Sequence, residues 1–127
     1  MEVTMNILHV DDNSDVLETV STLIELHFGI ATTTALSGNR AIELLKLKNN
    51  FSIVISDLNM PDGNGLHLFK FVNQYCKNSV FIFYTSATET IVLPPPNIFC
   101  ITVEKLRTRS LIEKLSMFID QKTDLAV

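Results

Sequence analysis

The sequence of 127 residues contains no tryptophan, 2 cysteines and no apolar run approaching the roughly 18 to 20 residues needed to span a bilayer. Cys76 and Cys100 lack the spacing of a zinc site, and we expect free thiols rather than a disulfide. The first residues, Met1 to Thr4, lack the basic region of a signal peptide. These absences predict a cytoplasmic protein that does not associate with a membrane.

Basic charge is also scarce. Lysine and arginine total 10 against 14 acidic residues, so the formal net charge is −4. Because nucleic-acid binding depends on a basic surface that neutralises phosphates, we expect no direct nucleic-acid partner. An apolar fraction of 46% and a charged fraction of 19% are typical of a soluble globular domain. We predict one domain over residues 1–121, followed at 122–127 by a polar tail or the start of a linker.

Short apolar runs alternate with helical patterns along the chain. Five runs are typical of buried strands, at residues 6–10, 30–36, 51–56, 80–84 and 98–103. The helix after the third run has a predicted apolar face of Leu66, Phe69, Val72 and Tyr75. Hydrophobic strands that alternate with helices indicate a parallel sheet covered on both faces. We predict an α/β fold, a doubly wound five-stranded parallel sheet in the flavodoxin-like order 2-1-3-4-5.

The pattern weakens between the fourth and fifth strands. The segment from Ala87 to Leu93 has room for one or two helical turns before Pro94, Pro95 and Pro96, which cannot continue a helix. The fourth helix is therefore predicted to be short or absent.

Polar residues follow the strands at the edge where ligands bind in this class of fold. In chain order they are Asp11, Asp12, Asp57, Thr85, Ser86 and Lys105. Three converging carboxylates repel one another unless a cation lies between them, and oxygen ligands are those that Mg²⁺ prefers. The sequence therefore predicts a magnesium site at this edge.

The same residue types suit phosphoryl transfer. A carboxylate beside a metal ion and an ammonium group can attack phosphorus and form an aspartyl phosphate. The transition state spreads negative charge over the phosphoryl oxygens, which Mg²⁺ and Lys105 would neutralise. A hydroxyl of Thr85 or Ser86 would donate a hydrogen bond to one of these oxygens, and no separate general base is needed.

In their order and placement, these residues resemble the receiver domains of two-component response regulators. The resemblance rests on the acidic pair after residues 7–10, the stretch 57–65, the Thr85-Ser86-Ala87 segment and Lys105, and it covers essentially the whole chain. It implies that Asp57 is the phospho-acceptor.

The resemblance also implies a set of metal ligands. Asp12 and Asp57 would bind Mg²⁺ through their side chains, and Asn59 would offer its backbone carbonyl. Asp11 would assist through water or a hydrogen bond. Ser86 precedes a small residue, as the family's hydroxyl residue does, while Thr85 matches the family's residue type. Both remain candidates, with a slight preference for Ser86.

By the same resemblance, a histidine kinase or a histidine phosphotransfer protein would donate the phosphoryl group. A downstream effector domain or protein would read the change, and homodimerisation is a further option. Such a domain catalyses only its own phosphorylation and dephosphorylation, so we do not expect an enzyme with an external substrate.

Two residues depart from the family pattern. Receivers usually carry a proline in a cis peptide after the lysine, whereas Leu106 follows Lys105 here. A cis bond to a non-proline residue costs roughly 2.5 to 4 kcal/mol, so we predict a trans bond. Thr102 stands where receivers tend to have an aromatic switch residue. Both departures and the shortened helix fall on the face that receivers use for dimerisation and partner binding.

Two other functions compete with the phospho-acceptor hypothesis. The first is a receiver-like interaction domain whose binding is independent of phosphorylation, because the surroundings of Lys105 and Thr102 have diverged. The second is a haloacid-dehalogenase-like phosphohydrolase. Such enzymes need an acidic residue two positions after the nucleophile, where this chain has Asn59, and the chain has no cap domain.

Overall fold

The computed structural model describes residues 5–87 and 90–125, with side chains as far as Asp120. Nine helices and strands are assigned within these ranges: β1 (Ile7–Val10), α1 (Ser14–Phe28), β2 (Thr32–Ala35), α2 (Gly38–Leu47), β3 (Ile53–Ser56), α3 (Gly65–Tyr75), β4 (Val80–Thr85), β5 (Cys100–Glu104) and α4 (Thr108–Leu125). Helix α4 continues past residue 121, and the division there stays a prediction because residues 126–127 of the proposed tail lie outside the described ranges. Within these ranges, no helix has both the length and the apolarity to cross a membrane.

The five strands form one parallel sheet in the order β2-β1-β3-β4-β5, which confirms the predicted fold. One face packs against α2 and α3, including Leu45, Phe69 and Val72. The other face packs against α1 and α4, including Ile24 and Leu115. Burial on both faces explains why β1, β3 and β4 are mostly apolar, whereas the edge strand β2 is mostly threonine and partly exposed.

Helices α1 and α2 begin soon after the carboxyl ends of β1 and β2, whereas the loop of residues 57–64 separates β3 from α3. Asn13, Ser37 and Asn64 are their N-caps, and each side chain accepts a hydrogen bond from a backbone N–H of the first turn. Helix α1 ends at Gly29, whose φ of 67° is left-handed. The carboxyl ends of these strands and the starts of the helices that follow them therefore lie at one edge of the sheet.

The connection between β4 and β5 contains no helix in its described residues, 86–87 and 90–99, in agreement with the prediction. A buried asparagine of α3 holds it instead. The Asn73 Oδ1 accepts a hydrogen bond from the Asn97 backbone N–H at 2.6 Å, and its Nδ2 donates to the Pro95 carbonyl at 3.2 Å. Asn73 thus satisfies backbone groups that a helix would have satisfied internally.

We expect Asn73→Ala to lower the free energy of unfolding by about 2 kcal/mol, because it leaves the Asn97 N–H and the Pro95 carbonyl without this partner. Urea denaturation measures the change. Gln74→Ala is the matched control, since Gln74 is exposed on the same helix and should alter the free energy by less than about 0.5 kcal/mol. Equal losses for the two variants would contradict this role of Asn73.

Candidate metal centre

Three carboxylates lie together at the carboxyl edge of β1 and β3. The two strands are parallel neighbours, with Val10 paired to Ser56. The next residues therefore lie side by side, and the Asp57 N–H donates to the Val10 carbonyl at 3.0 Å. One oxygen from each of Asp11, Asp12 and Asp57 lies within 4.8 Å of the other two. The convergence predicted from the strand ends is thus present.

Lys105 directly follows β5, the edge strand on the other side of β4 from β3, and its side chain extends to this cluster. Its Nζ lies 2.9 Å from Asp11 Oδ2 and 2.8 Å from Asp57 Oδ2. Burial by itself would lower the pKa of Lys105, but its hydrogen bonds and charge interactions with Asp11 and Asp57 raise that pKa above its usual value. The ammonium group therefore stays charged between the two carboxylates.

The carboxylates differ in burial and in hydrogen bonding. Asp11 is fully buried, and this burial raises its pKa, although the hydrogen bond with Lys105 opposes the shift. Asp57 is 8% exposed, and its Oδ1 accepts a hydrogen bond from the Leu58 N–H at 2.7 Å. Asp12 is exposed. The cluster therefore has one side open to water and to a ligand.

The arrangement fits a magnesium ion. All the side-chain donors are carboxylate oxygens, the ligand type that Mg²⁺ prefers, and the open side at Asp12 leaves room for the waters that Mg²⁺ retains. Two ligands of one Mg²⁺ lie at most about 4 Å apart, so small side-chain rotations suffice from the observed spacing. Asn59 is exposed two residues after Asp57, and its carbonyl as a ligand stays a prediction.

The two candidate hydroxyls differ in position. Thr85 is the last residue of β4, is 3% exposed, and its Oγ1 accepts a hydrogen bond from the Ala87 N–H at 3.1 Å. Its carbonyl accepts from the Lys105 N–H at 2.9 Å. Ser86 lies beyond the strand and is exposed. Thr85 is therefore joined to the chain segment that carries the lysine.

The peptide bond between Lys105 and Leu106 is trans, as predicted, since the described residues contain no cis peptide. Leu106 has a φ of 74° and is the one non-glycine residue with positive φ in the described ranges. This conformation costs roughly 1 to 2 kcal/mol for an L-residue with a side chain. The Leu106 N–H donates to the Tyr84 hydroxyl at 2.9 Å. A left-handed leucine thus stands where receivers usually have a cis proline.

The loop after Asp57 is anchored to the start of α2. The Asp62 carboxylate accepts hydrogen bonds from Ser37 Oγ at 3.0 Å and from Asn39 Nδ2 at 2.9 Å. A Cβ at Gly65 would clash with the Asp57 carbonyl oxygen. The loop therefore approaches the acidic cluster closely only because residue 65 is glycine.

His9 lies within β1, two residues before Asp11, and is fully buried. Its ring contacts Tyr84 edge-on, with a centroid separation of 6.5 Å, and neither ring nitrogen has a hydrogen-bond partner. Burial, followed by the charge of Lys105, lowers the pKa of His9 from 6.5 to about 4. The imidazole is therefore neutral in the folded protein at neutral pH.

We expect the folded state to lose stability as the pH falls from about 6.5 to about 4, because the unfolded chain binds a proton at His9 that the folded chain rejects. The free energy of unfolding should fall by about 3 kcal/mol over this range. This stability is fully present above the pKa of His9 in the unfolded chain and is lost as the pH falls through its pKa in the folded chain. Urea denaturation of metal-free protein across this pH range measures it. His9→Leu should flatten the pH dependence, and His67→Leu, at an exposed position, should not. Parallel profiles for wild type and His9→Leu would contradict the assignment.

Two hydrogen-bonding residues were not foreseen from the sequence, one at the turn after Lys105 and one at the β4–β5 connection. In the sequence, Tyr84 is one more position of the apolar run that predicts β4. No sequence pattern indicates that its hydroxyl accepts a hydrogen bond from the Leu106 N–H. Asn73 had a signal, because it lies four residues after Phe69 and so shares the helix face that is buried. A polar residue on that face needs a partner, which the β4–β5 connection supplies.

The family model of the response regulator receiver domain matches residues 7–93. ARR12, a two-component response regulator of Arabidopsis thaliana, is 39% identical over 71 residues, which cover 55% of this chain and 12% of that protein. The response regulator SaeR of Staphylococcus aureus is 33% identical over 84 residues, covering 66% of this chain and 36% of that protein. The match thus spans well under half the length of either curated relative.

Solved structures share the fold. The response regulator protein TrrA of Thermotoga maritima, solved in complex with Mg(2+)-BeF, has a TM-score of 0.79 at 23% identity, covering 91% of this chain and 99% of that chain. The signal receiver domain of an HD domain-containing protein from Pseudomonas fluorescens Pf-5 has a TM-score of 0.82 at 17% identity, covering 96% and 99%. At these identities the likeness extends to the fold alone.

Proposed function

We propose, because this chain belongs to the response regulator receiver domain family, that Asp57 accepts a phosphoryl group and that this charge change switches the binding of a partner. One observation carries the proposal. The Lys105 ammonium lies 2.8 Å from Asp57 and 2.9 Å from Asp11, in a cluster of three carboxylates. A nucleophile, a fixed cation and a set of metal-binding oxygens are therefore in one place.

The proposed reaction forms a bond between an Asp57 carboxylate oxygen and phosphorus. In a phosphohistidine donor the phosphorus–nitrogen bond breaks, and the imidazole leaves with the electron pair. Lys105 neutralises negative charge beside Asp57 without changing its own protonation, because its pKa is raised. Mg²⁺ bound by the acidic cluster would supply further charge neutralisation for the phosphoryl oxygens. The Leu58 N–H orients the carboxylate through Oδ1.

Thr85 is the better candidate for the hydroxyl that contacts the phosphoryl group. Its Oγ1 already accepts the Ala87 N–H, so its own proton is available for a phosphoryl oxygen. Its position at the end of β4, with its carbonyl bonded to the Lys105 N–H, supports the same assignment. This choice replaces the slight preference for Ser86, which is exposed beyond the strand.

The proposed donor is a histidine kinase or a histidine phosphotransfer protein, and the proposed recipient of the signal is an effector domain or protein. The domain would catalyse only its own phosphorylation and dephosphorylation. Homodimerisation through the face around Thr102, which is exposed on β5, is a further proposed mode of binding. The match covers 12% of ARR12 and 36% of SaeR. What the whole protein does in response to phosphorylation is therefore also a proposal.

Incubation of the wild-type chain with a small acyl phosphate and Mg²⁺ tests the proposal. We expect intact-mass spectrometry to detect one added phosphoryl group, peptide mapping to locate it on Asp57, and chelation of Mg²⁺ to prevent it. An unmodified wild-type protein under saturating donor and Mg²⁺ would contradict the proposal. That result would favour the alternative of an interaction domain that works without phosphate.

A further inference from the structure

The turn that follows Lys105 is held by a hydroxyl from the neighbouring strand. Leu106 adopts φ 74°, a conformation that disfavours a leucine, and its side chain is 80% exposed, so packing does not hold it there. Its backbone N–H donates to the Tyr84 hydroxyl at 2.9 Å. This hydrogen bond is the contact that links the left-handed residue to the core.

Lys105 is thereby fixed on both sides by consecutive residues of β4. On one side, the Lys105 N–H donates to the Thr85 carbonyl at 2.9 Å. On the other side, the Leu106 N–H donates to Tyr84. Tyr84 itself is 1% exposed and packs in the core between the sheet and helices α1 and α4. A rigid anchor therefore holds the main chain from which the ammonium group extends to Asp57.

We propose that Tyr84 is a positioning residue, whose hydroxyl holds the Leu106 turn so that Lys105 reaches Asp57 and Asp11. The inference rests on the proposed function, because it concerns how fast Asp57 is phosphorylated. Tyr84 does not contact the carboxylates in a hydrogen bond or an ion pair that the structure shows, and it acts through the Lys105 backbone. The hydroxyl takes over, in this chain, the restriction of the turn that a proline would impose through its ring.

The ring of Tyr84 alone does not explain a tyrosine at this position. A phenylalanine ring would fill the buried space that the Tyr84 ring occupies. Phenylalanine is the residue used at the buried positions Phe81 and Phe83 on the opposite face of β4. The hydroxyl must instead be desolvated, which raises the pKa of Tyr84 and keeps it neutral. The polar atom therefore has a cost in this core that its bond to Leu106 offsets.

Tyr84→Phe tests the inference because it removes the hydroxyl and keeps the ring. We expect the rate of Asp57 phosphorylation by a small acyl phosphate to fall about fivefold, the factor that corresponds to one neutral hydrogen bond. Mg²⁺ affinity should not fall, since Tyr84 is not among the carboxylates that would bind the ion. Tyr75→Phe is the matched control, because Tyr75 is 57% exposed at the far end of α3.

The variant Leu106→Gly distinguishes positioning from general stability. Glycine adopts a positive φ without strain, so the turn should form without the hydroxyl. We therefore expect the double variant Tyr84→Phe/Leu106→Gly to recover a rate within about twofold of Leu106→Gly alone. Hydrogen exchange at the Leu106 amide should accelerate in Tyr84→Phe.

Three results would overturn the inference. The first is a wild-type rate in Tyr84→Phe. The second is a defect that persists unchanged in the Leu106→Gly background, which would indicate an effect through the core. A wild-type chain that takes up no phosphoryl group would remove the proposed function and this inference with it. Because that last result is seen in the wild type alone, the two failures are distinguishable.

Discussion

Asp57→Ala is expected to take up no phosphoryl group from an acyl phosphate or from a phosphohistidine donor. The substitution removes the one carboxylate that has an ordered Leu58 N–H on one oxygen and the Lys105 ammonium on the other. Asp11 is fully buried, and its Oδ1 accepts the Asn13 N–H at 2.9 Å, so it is poorly placed to replace Asp57. Intact-mass spectrometry under conditions that label the wild type measures the result.

Asp120→Ala is the matched control for this experiment. Asp120 is an exposed carboxylate of α4 that is not part of the acidic cluster, and its Oδ2 accepts a hydrogen bond from Ser116 Oγ at 3.1 Å. We expect that variant to be labelled as the wild type is. Asp57→Asn, which keeps the side-chain volume, should remain folded and unlabelled. Labelling of Asp57→Ala at the wild-type level would show that another residue is the acceptor.

Lys105→Ala is expected to slow phosphorylation of Asp57 on the order of 100-fold, because it removes a positioned cation from the charge that develops on the phosphoryl group. Mg²⁺ binding should not weaken and should tighten, since the ammonium group competes with the ion for Asp11 and Asp57. Single-turnover labelling gives the rate, and isothermal titration gives the Mg²⁺ affinity.

Arg107→Ala is the control for the loss of a positive charge. Arg107 lies two residues away, is 69% exposed in its side chain, and pairs with Glu104 at 2.8 Å. A surface pair of this kind contributes little, so the rate should change by less than about threefold. A Lys105→Ala protein that reacts as fast as Arg107→Ala would exclude Lys105 from the reaction.

The architecture and most of the site were predictable because both follow from strand ends. A strand in a sheet covered on both faces is a continuous apolar run, as residues 53–56 are. The residues that follow parallel strands lie at the same edge of the sheet. Topology alone therefore brings Asp11 and Asp57 together. The lack of a helix between β4 and β5, in the described residues 86–87 and 90–99, was equally predictable from three consecutive prolines.

The buried face of α3 was predicted less well. Phe69 and Val72 are buried as expected, but Tyr75 is 57% exposed, whereas Leu68 and Cys76 are buried. A run of three-residue steps drifts by about 60° per step around a helix of 3.6 residues per turn. After three such steps the position lies opposite the first one. Alternating steps of three and four would have followed the true face.

Backbone geometry decided the remaining points. No propensity predicts a left-handed leucine, so the conformation of Leu106 could not be foreseen, although the trans bond before it could. The choice between Thr85 and Ser86 depends on the residue at which β4 ends, and strand boundaries are the least certain part of a sequence prediction. Partners of single side chains, such as Tyr84 and Leu106, lie too far apart in the sequence to be read from it.

Binding of beryllofluoride, a mimic of the phosphoryl group, tests the shared metal and acceptor site most directly. Fluorine NMR of the wild-type chain with beryllofluoride should show bound resonances that appear only when Mg²⁺ is added. The same spectra of Asp57→Asn should show none, because the carboxylate oxygen that binds beryllium is gone. Bound resonances in the wild type without Mg²⁺, or in Asp57→Asn with it, would contradict a single site formed by Asp11, Asp12 and Asp57.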